Sequence, residues 1–96
     1  MLRHIVLLKF KPDTKETQKN ELESELKALP GKIPEIKGYE MGFDVIQSPR
    51  SYDFGLLATF ENIDALKVYQ QHPEHVKVLN KVLEICDGII AVDFEV

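Results

Sequence analysis

Hydrophobic and polar positions alternate through the opening stretch LRHIVLLKFK, residues 2–11. Leu2, His4, Val6, Leu8 and Phe10 share one face, with Ile5 and Leu7 on the other, which predicts a strand stopped by Pro12-Asp13. The period then changes. Residues 14–29, TKETQKNELESELKAL, are rich in helix formers and set Leu22, Leu26 and Leu29 on one stripe, a helix ended by PGKIP. Residues 37–47 return to alternation, with Tyr39, Met41, Phe43 and Val45 on one face. The loop SPRS and a third strand over 52–61 complete a hairpin. Asn62 is suited to cap a helix over 63–71. His72 precedes a proline and is pushed out of helical geometry, while Pro73 fits the first position of a new helix. That helix is expected to reach Asp87, with Gly88 as its stop and IIAVDFEV as the last strand.

The order is β-α-β-β-α-β, an α+β, ferredoxin-like plan with an antiparallel sheet, one domain over residues 1–96, its second helix broken at Pro73. Helices cover only one face of such a sheet. Ile5 and Leu7 on the first strand, and Ile90, Val92, Phe94 and Val96 on the last, make the other face apolar too. A sheet that is apolar on both sides needs a partner, so a homodimer through the bare face is expected.

Bulk properties narrow the picture further. A chain of 96 residues buries a small core, and association would add to it. The formal charge of −4 and the lack of any Lys/Arg run argue against nucleic acid as a partner. No apolar run approaches the roughly 20 residues of a membrane span, and the first residues have no small-residue cleavage site. A lone cysteine, Cys86, suits a reducing cytoplasm, the expected location.

Candidate chemistry concentrates in LKVYQQHPEHVKV, residues 66–78, which holds Tyr69, His72 and His75. Helical phase sets Lys77, Asn80, Lys81, Glu84 and Asp87 on one side, and Val76, Val78, Leu79, Val82, Leu83, Ile85 and Cys86 opposite, with His75 among the apolar set. Tyr69 falls with Ala65, Leu66 and Val68 on the inner side of the preceding helix. His4 shares its strand face with Val6 and Leu8, so His4, Tyr69 and His75 are expected in one layer between sheet and helices. His72 sits at the break, where no direction can be read. A histidine in a first helical turn is held neutral by the helix dipole and can act as a general base. A nearby tyrosine hydroxyl can donate to a developing oxyanion. A structural Tyr–His hydrogen bond is the plain alternative, since buried polar groups pair for stability. A metal site built from His4, His72 and His75 lacks supporting carboxylate or cysteine spacing, so no metal and no cofactor are expected. Cys86 lies among apolar neighbours, where a thiolate is disfavoured.

With RHIVLLKFK at its start, YQQHPEHVKV in its middle and VDFEV at its end, the chain resembles the stress-responsive A/B barrel domain family along essentially its whole length. The resemblance implies a homodimer in which two ferredoxin-like sheets meet face to face as a dimeric α/β barrel. Many members of that family have no known activity, and one is a cofactor-independent plant polyketide cyclase. The cyclase's catalytic tyrosine and histidine match Tyr69 and His75. Its pocket histidine on the first strand matches His4, its His-Pro histidine matches His72, and its last-strand aspartate matches Asp93, placed to orient His75. The pocket walls differ: Leu22 and Leu26 stand where the cyclase carries aromatic residues, and Lys77, Val78 and Leu79 replace a glycine-flanked phenylalanine. Two functions therefore stay open. One, favoured by the divergent pocket walls, is a homodimeric small-molecule-binding or stress-protective domain of unassigned activity; the other is a cofactor-independent cyclase, lyase or isomerase with His75 as base and Tyr69 as donor.

Overall fold

The computed structural model describes all 96 residues. Its elements are β1 (Leu2–Phe10), α1 (Glu16–Ala28), a short 3-10 turn (Leu29–Gly31), β2 (Gly38–Phe43), β3 (Phe54–Phe60), α2 (Ile63–Gln71), α3 (Pro73–Ile85) and β4 (Cys86–Glu95). Local chemistry sets the helix ends. The Gln18 side chain accepts from the Lys15 N–H at 2.9 Å, before α1. Asn62 Oδ1 accepts from Ala65 N–H at 2.9 Å, opening α2, and satisfies a donor that has no partner within the helix. His72 ends α2 in extended geometry and then caps α3, its Nδ1 accepting from Glu74 N–H at 3.1 Å.

The four strands form one antiparallel sheet in the order β2-β3-β1-β4, so the fold is ferredoxin-like. On the helix-covered face, Leu2, Leu8 and Phe10 of β1 and Phe54, Ala58 and Phe60 of β3 join Leu22, Leu26, Leu66, Tyr69, Val78 and Val82 in a single core. On the opposite face, Ile5, Leu7 and Leu57 lie beside Ile90, Val92 and Phe94 across three strands, and the last three are exposed. No helix is long and apolar enough to cross a membrane.

Three local expectations are corrected. Gly88 does not end a helix: α3 stops at Ile85, and Cys86 is already extended. Gly88 instead sits in β4 beside a bulge, where a Cβ would lie 3.0 Å from Lys9 Cβ, so close approach of two strands explains the glycine. β2 ends at Phe43 rather than Gln47 because the chain turns locally. The Asp44 carboxylate accepts from Gln47 N–H at 2.6 Å, Gln47 has φ 60°, and Val45 is left exposed. On α3 the apolar arc is wider than its contact with the sheet: Val78, Val82 and Ile85 are buried, whereas Val76, Leu79 and Leu83 are exposed. Cys86, a free thiol, is buried at the α3–β4 junction, and burial pushes its pKa up to about 11.

Candidate functional site

The strand register lays a row of residues across the whole sheet, on the helix-covered face. Tyr39 of β2 is opposite Ala58 of β3, Ala58 is opposite His4 of β1, and His4 is opposite Asp93 of β4. Ala58 is the low point of that row and is fully buried. The Tyr69 ring, lowered from α2, lies over this part of the sheet with ring centroids 6.2 Å from both His4 and Tyr39 and 4.9 Å from Phe60.

Each polar group in this layer has a partner. The Tyr69 and Tyr39 hydroxyls are 2.7 Å apart in a hydrogen bond. His4, itself 7% exposed, pairs through Nδ1 with the Asp93 carboxylate. His75 stacks at a tilt 4.2 Å from the Tyr69 ring centroid, and its Nδ1 donates to the Gln70 carbonyl at 3.2 Å. A carbonyl can only accept, so the proton is held at Nδ1 and Nε2 is the free acceptor of the neutral ring. Burial holds the His75 pKa below the ordinary imidazole value, opposed by the Gln70 carbonyl and reinforced by His4 and His72. Desolvation therefore joins the helix-terminus argument in favouring neutral His75. Burial also raises both tyrosines, while the Tyr39 hydrogen bond acts in the opposite sense on Tyr69.

A cavity of about 290 Å³ lies between β1, β4 and α3, and His4, Tyr69, Gln70 and His75 supply its polar lining. The rest is apolar, including Val6, Leu26, Val78 and Val82. Leu79, Ile89 and Ala91 also line it and are exposed, so it opens to solvent between α3 and β4. Its size is at the small end of the ligand-pocket range.

His4, Tyr69 and His75 thus meet around one space, whereas two other candidates lie elsewhere. His72 is outside the lining and spends its Nδ1 on capping α3. Asp93 stands behind His4 and contacts that ring rather than orienting His75, because the β1–β4 register pairs it with residue 4. No group of three or more His, Cys, Asp or Glu side chains comes together in a way that could hold a metal ion. Tyr39 was not among the residues the sequence singled out. Its signal was a hydroxyl on an otherwise apolar strand face, which needs a buried partner.

The profile of the stress responsive A/B barrel domain matches residues 2–96. The chain belongs to that family. A stress-response A/B barrel domain-containing protein of Arabidopsis thaliana is 31% identical over 99 residues, covering 98% of this chain and 85% of the relative. Olivetolic acid cyclase of Cannabis sativa is 34% identical over 77 residues, covering 78% of this chain and 76% of the cyclase. A dimeric ferredoxin-like protein of unknown function from Thermobifida fusca superposes with a TM-score of 0.90 at 30% identity, covering 99% of this chain and 90% of that one. This chain is thus similar both to a cyclase and to a protein of unknown function, and its own function has to be argued from the site.

Proposed function

We propose that this A/B barrel protein is a cytoplasmic homodimer that binds a small, largely apolar organic molecule between sheet and helices and moves a proton on it without a cofactor. The observation that carries this reading is the open cavity touching Tyr69, His75 and His4 together. His75 Nε2 takes a proton from a carbon acid or hydroxyl of the ligand. The C–H or O–H bond breaks, an N–H bond forms, and the electron pair stays on the ligand as an enolate or oxyanion. Tyr69 donates a hydrogen bond where that charge develops, and the imidazolium later returns the proton, so atoms and charge balance over the cycle. His4, backed by Asp93, completes the polar lining. The chemistry is of the cyclase, lyase or isomerase class, which the likeness to olivetolic acid cyclase supports. The altered pocket walls leave the cyclase's own substrate outside the proposal.

The dimer forms through the bare sheet face, with Ile5, Leu7, Leu57, Ile90, Val92 and Phe94 at its centre. The apolar surface there and the dimeric relative from Thermobifida fusca support this assembly. The interface is expected to bury more than about 1,000 Å² in total.

A second reading, binding without turnover, is favoured by one observation: the Tyr69 hydroxyl is already bonded to Tyr39. A thermal-shift screen of aromatic, β-keto and polyketide-like compounds followed by turnover assays separates the two. His75→Ala and Tyr69→Phe are expected to cut turnover by roughly 10²–10⁴-fold while the dimer stays folded, and chelators are expected to have no effect. If both variants process a turned-over compound at the wild-type rate, proton transfer by this pair is wrong. If ligands bind and none is turned over, the binding reading stands.

A further inference from the structure

We infer that Tyr39 is a positioning residue that backs Tyr69, donating its hydroxyl to the Tyr69 oxygen and leaving the Tyr69 proton for a ligand in the cavity. The inference deepens the proposed function and rests on it for the ligand's presence. It resolves the one observation that spoke for binding alone.

Either hydroxyl could donate on distance alone, and placement relative to the cavity argues for the direction. The two hydroxyls lie 2.7 Å apart, and each carries one hydrogen, so a single bond between them leaves one hydrogen uncommitted. Tyr69 lines the cavity and Tyr39 does not. A free hydrogen on Tyr39 reaches no ligand, whereas one on Tyr69 belongs to a residue in the cavity wall. When a ligand oxygen accepts from Tyr69, the Tyr69 oxygen is left as the acceptor for Tyr39, and the two bonds form a chain. Each bond of a chain polarises the next, so Tyr39 makes Tyr69 a stronger donor at the moment charge develops. The hydrogen bond from Tyr39 acts downward on Tyr69's pKa, the sense such a chain requires, although burial outweighs it.

The sheet is built to permit the contact. Tyr39 and His4 are the cross-strand neighbours of Ala58 on its two sides, and a fully buried alanine at that centre leaves the Tyr69 ring room above the row. A side chain as long as leucine at position 58 would occupy that space. Tyr69 itself is 1% exposed and rests against Phe60, so its ring is held in place and its oxygen stays within reach of Tyr39 while the hydroxyl hydrogen turns.

The test reads the Tyr69 phenol directly and needs no ligand. Tyr69 is replaced by 3,5-difluorotyrosine, whose more acidic hydroxyl titrates before alkaline unfolding, and its ionisation is followed by fluorine NMR with Tyr39 present and with Tyr39→Phe. The midpoint is expected to rise in Tyr39→Phe, because the phenolate loses a donor while the ring remains in place. An unchanged or lowered midpoint overturns the inference, since a tyrosine that only fills space is replaced by phenylalanine without effect on its neighbour's acidity. A second readout uses the natural chain and a compound that it turns over. Tyr39→Phe is expected to lower kcat roughly threefold to tenfold with KM little changed, and to have no further effect in the Tyr69→Phe background. Equal losses from Tyr39→Phe in both backgrounds overturn it as well. Failure to find any turnover defeats the proposed proton transfer, while the titration still decides the hydroxyl pair.

Discussion

The two faces of the sheet are built from the same strands and solve different problems. The helix-covered face buries Phe54, Ala58 and Phe60 completely or nearly so, and still admits Tyr39, His4 and Tyr69 because each of these side chains has a hydrogen-bond partner. The bare face carries no helix, and Val92 there is 54% exposed. A few paired polar groups thus sit inside a core that is otherwise apolar, while the bare face leaves apolar side chains in solvent. The difference teaches that the first face is finished within one chain apart from an open cavity, whereas the second leaves a row of apolar side chains uncovered. A buried polar row is costly unless paired, and here the Tyr39–Tyr69 and His4–Asp93 contacts offset that cost.

A pair of phenylalanines gives the strongest way to break that contrast. Phe60→Ala, in the buried face, is expected to cost about 3–5 kcal/mol in urea unfolding. Phe94→Ala, on the bare face, is expected to leave a monomer's stability nearly unchanged while making the midpoint less dependent on protein concentration. Equal costs at every concentration would mean the two faces do not differ in the way described. Next in size is Leu7→Lys, which puts a charge into the proposed contact and is expected to weaken association by roughly a hundredfold or more in sedimentation. A wild-type chain that sediments as a monomer at micromolar concentration removes the basis for a partner on that face.

Acid sharpens the contrast on the covered face. His75 has a folded-state pKa below its ordinary value of 6.5, so the unfolded chain takes up the proton more readily. Its neutral form therefore contributes stability that is complete above about pH 6.5 and lost as pH falls through the lowered folded value. The thermal midpoint is expected to fall on acidification below that point, and less so in His75→Gln. An identical acid response in that variant would assign the loss to other groups. The smallest effect is local to one helix end: Asn62→Ala removes the cap of α2 and is expected to cost about 1 kcal/mol, with Asn62→Gly costing only a few tenths. Circular dichroism melts of both variants check this.

Sequence periodicity reached the element order, the helix break at Pro73 and the sharing of one layer by His4, Tyr69 and His75, because each depends on spacing within a few residues. What it missed depends on register. Asp93 meets His4 rather than His75 because of how β4 slides along β1, and Tyr39 meets Tyr69 across Ala58 because of how β2 aligns with β3. No single strand contains that information. The break itself also splits two histidines that look alike in sequence: His72 becomes a cap, while His75, three residues later, reaches the cavity. Gly88 misled for a related reason, since a glycine required by a bulge and one that ends a helix look the same in sequence.

Cys86 gives the molecule a clock of its own. The thiol is the only one in the chain, is shielded where α3 hands over to β4, and is held largely protonated at neutral pH by its raised pKa. A disulfide reagent in solution can label it only when that junction opens, so the labelling rate counts excursions of β4 away from β1. β4 is an edge strand within one chain, and an edge opens more readily than the middle of a sheet. If a second copy clamps it, labelling slows as protein concentration rises, and the same cysteine reports assembly and local opening in a single trace.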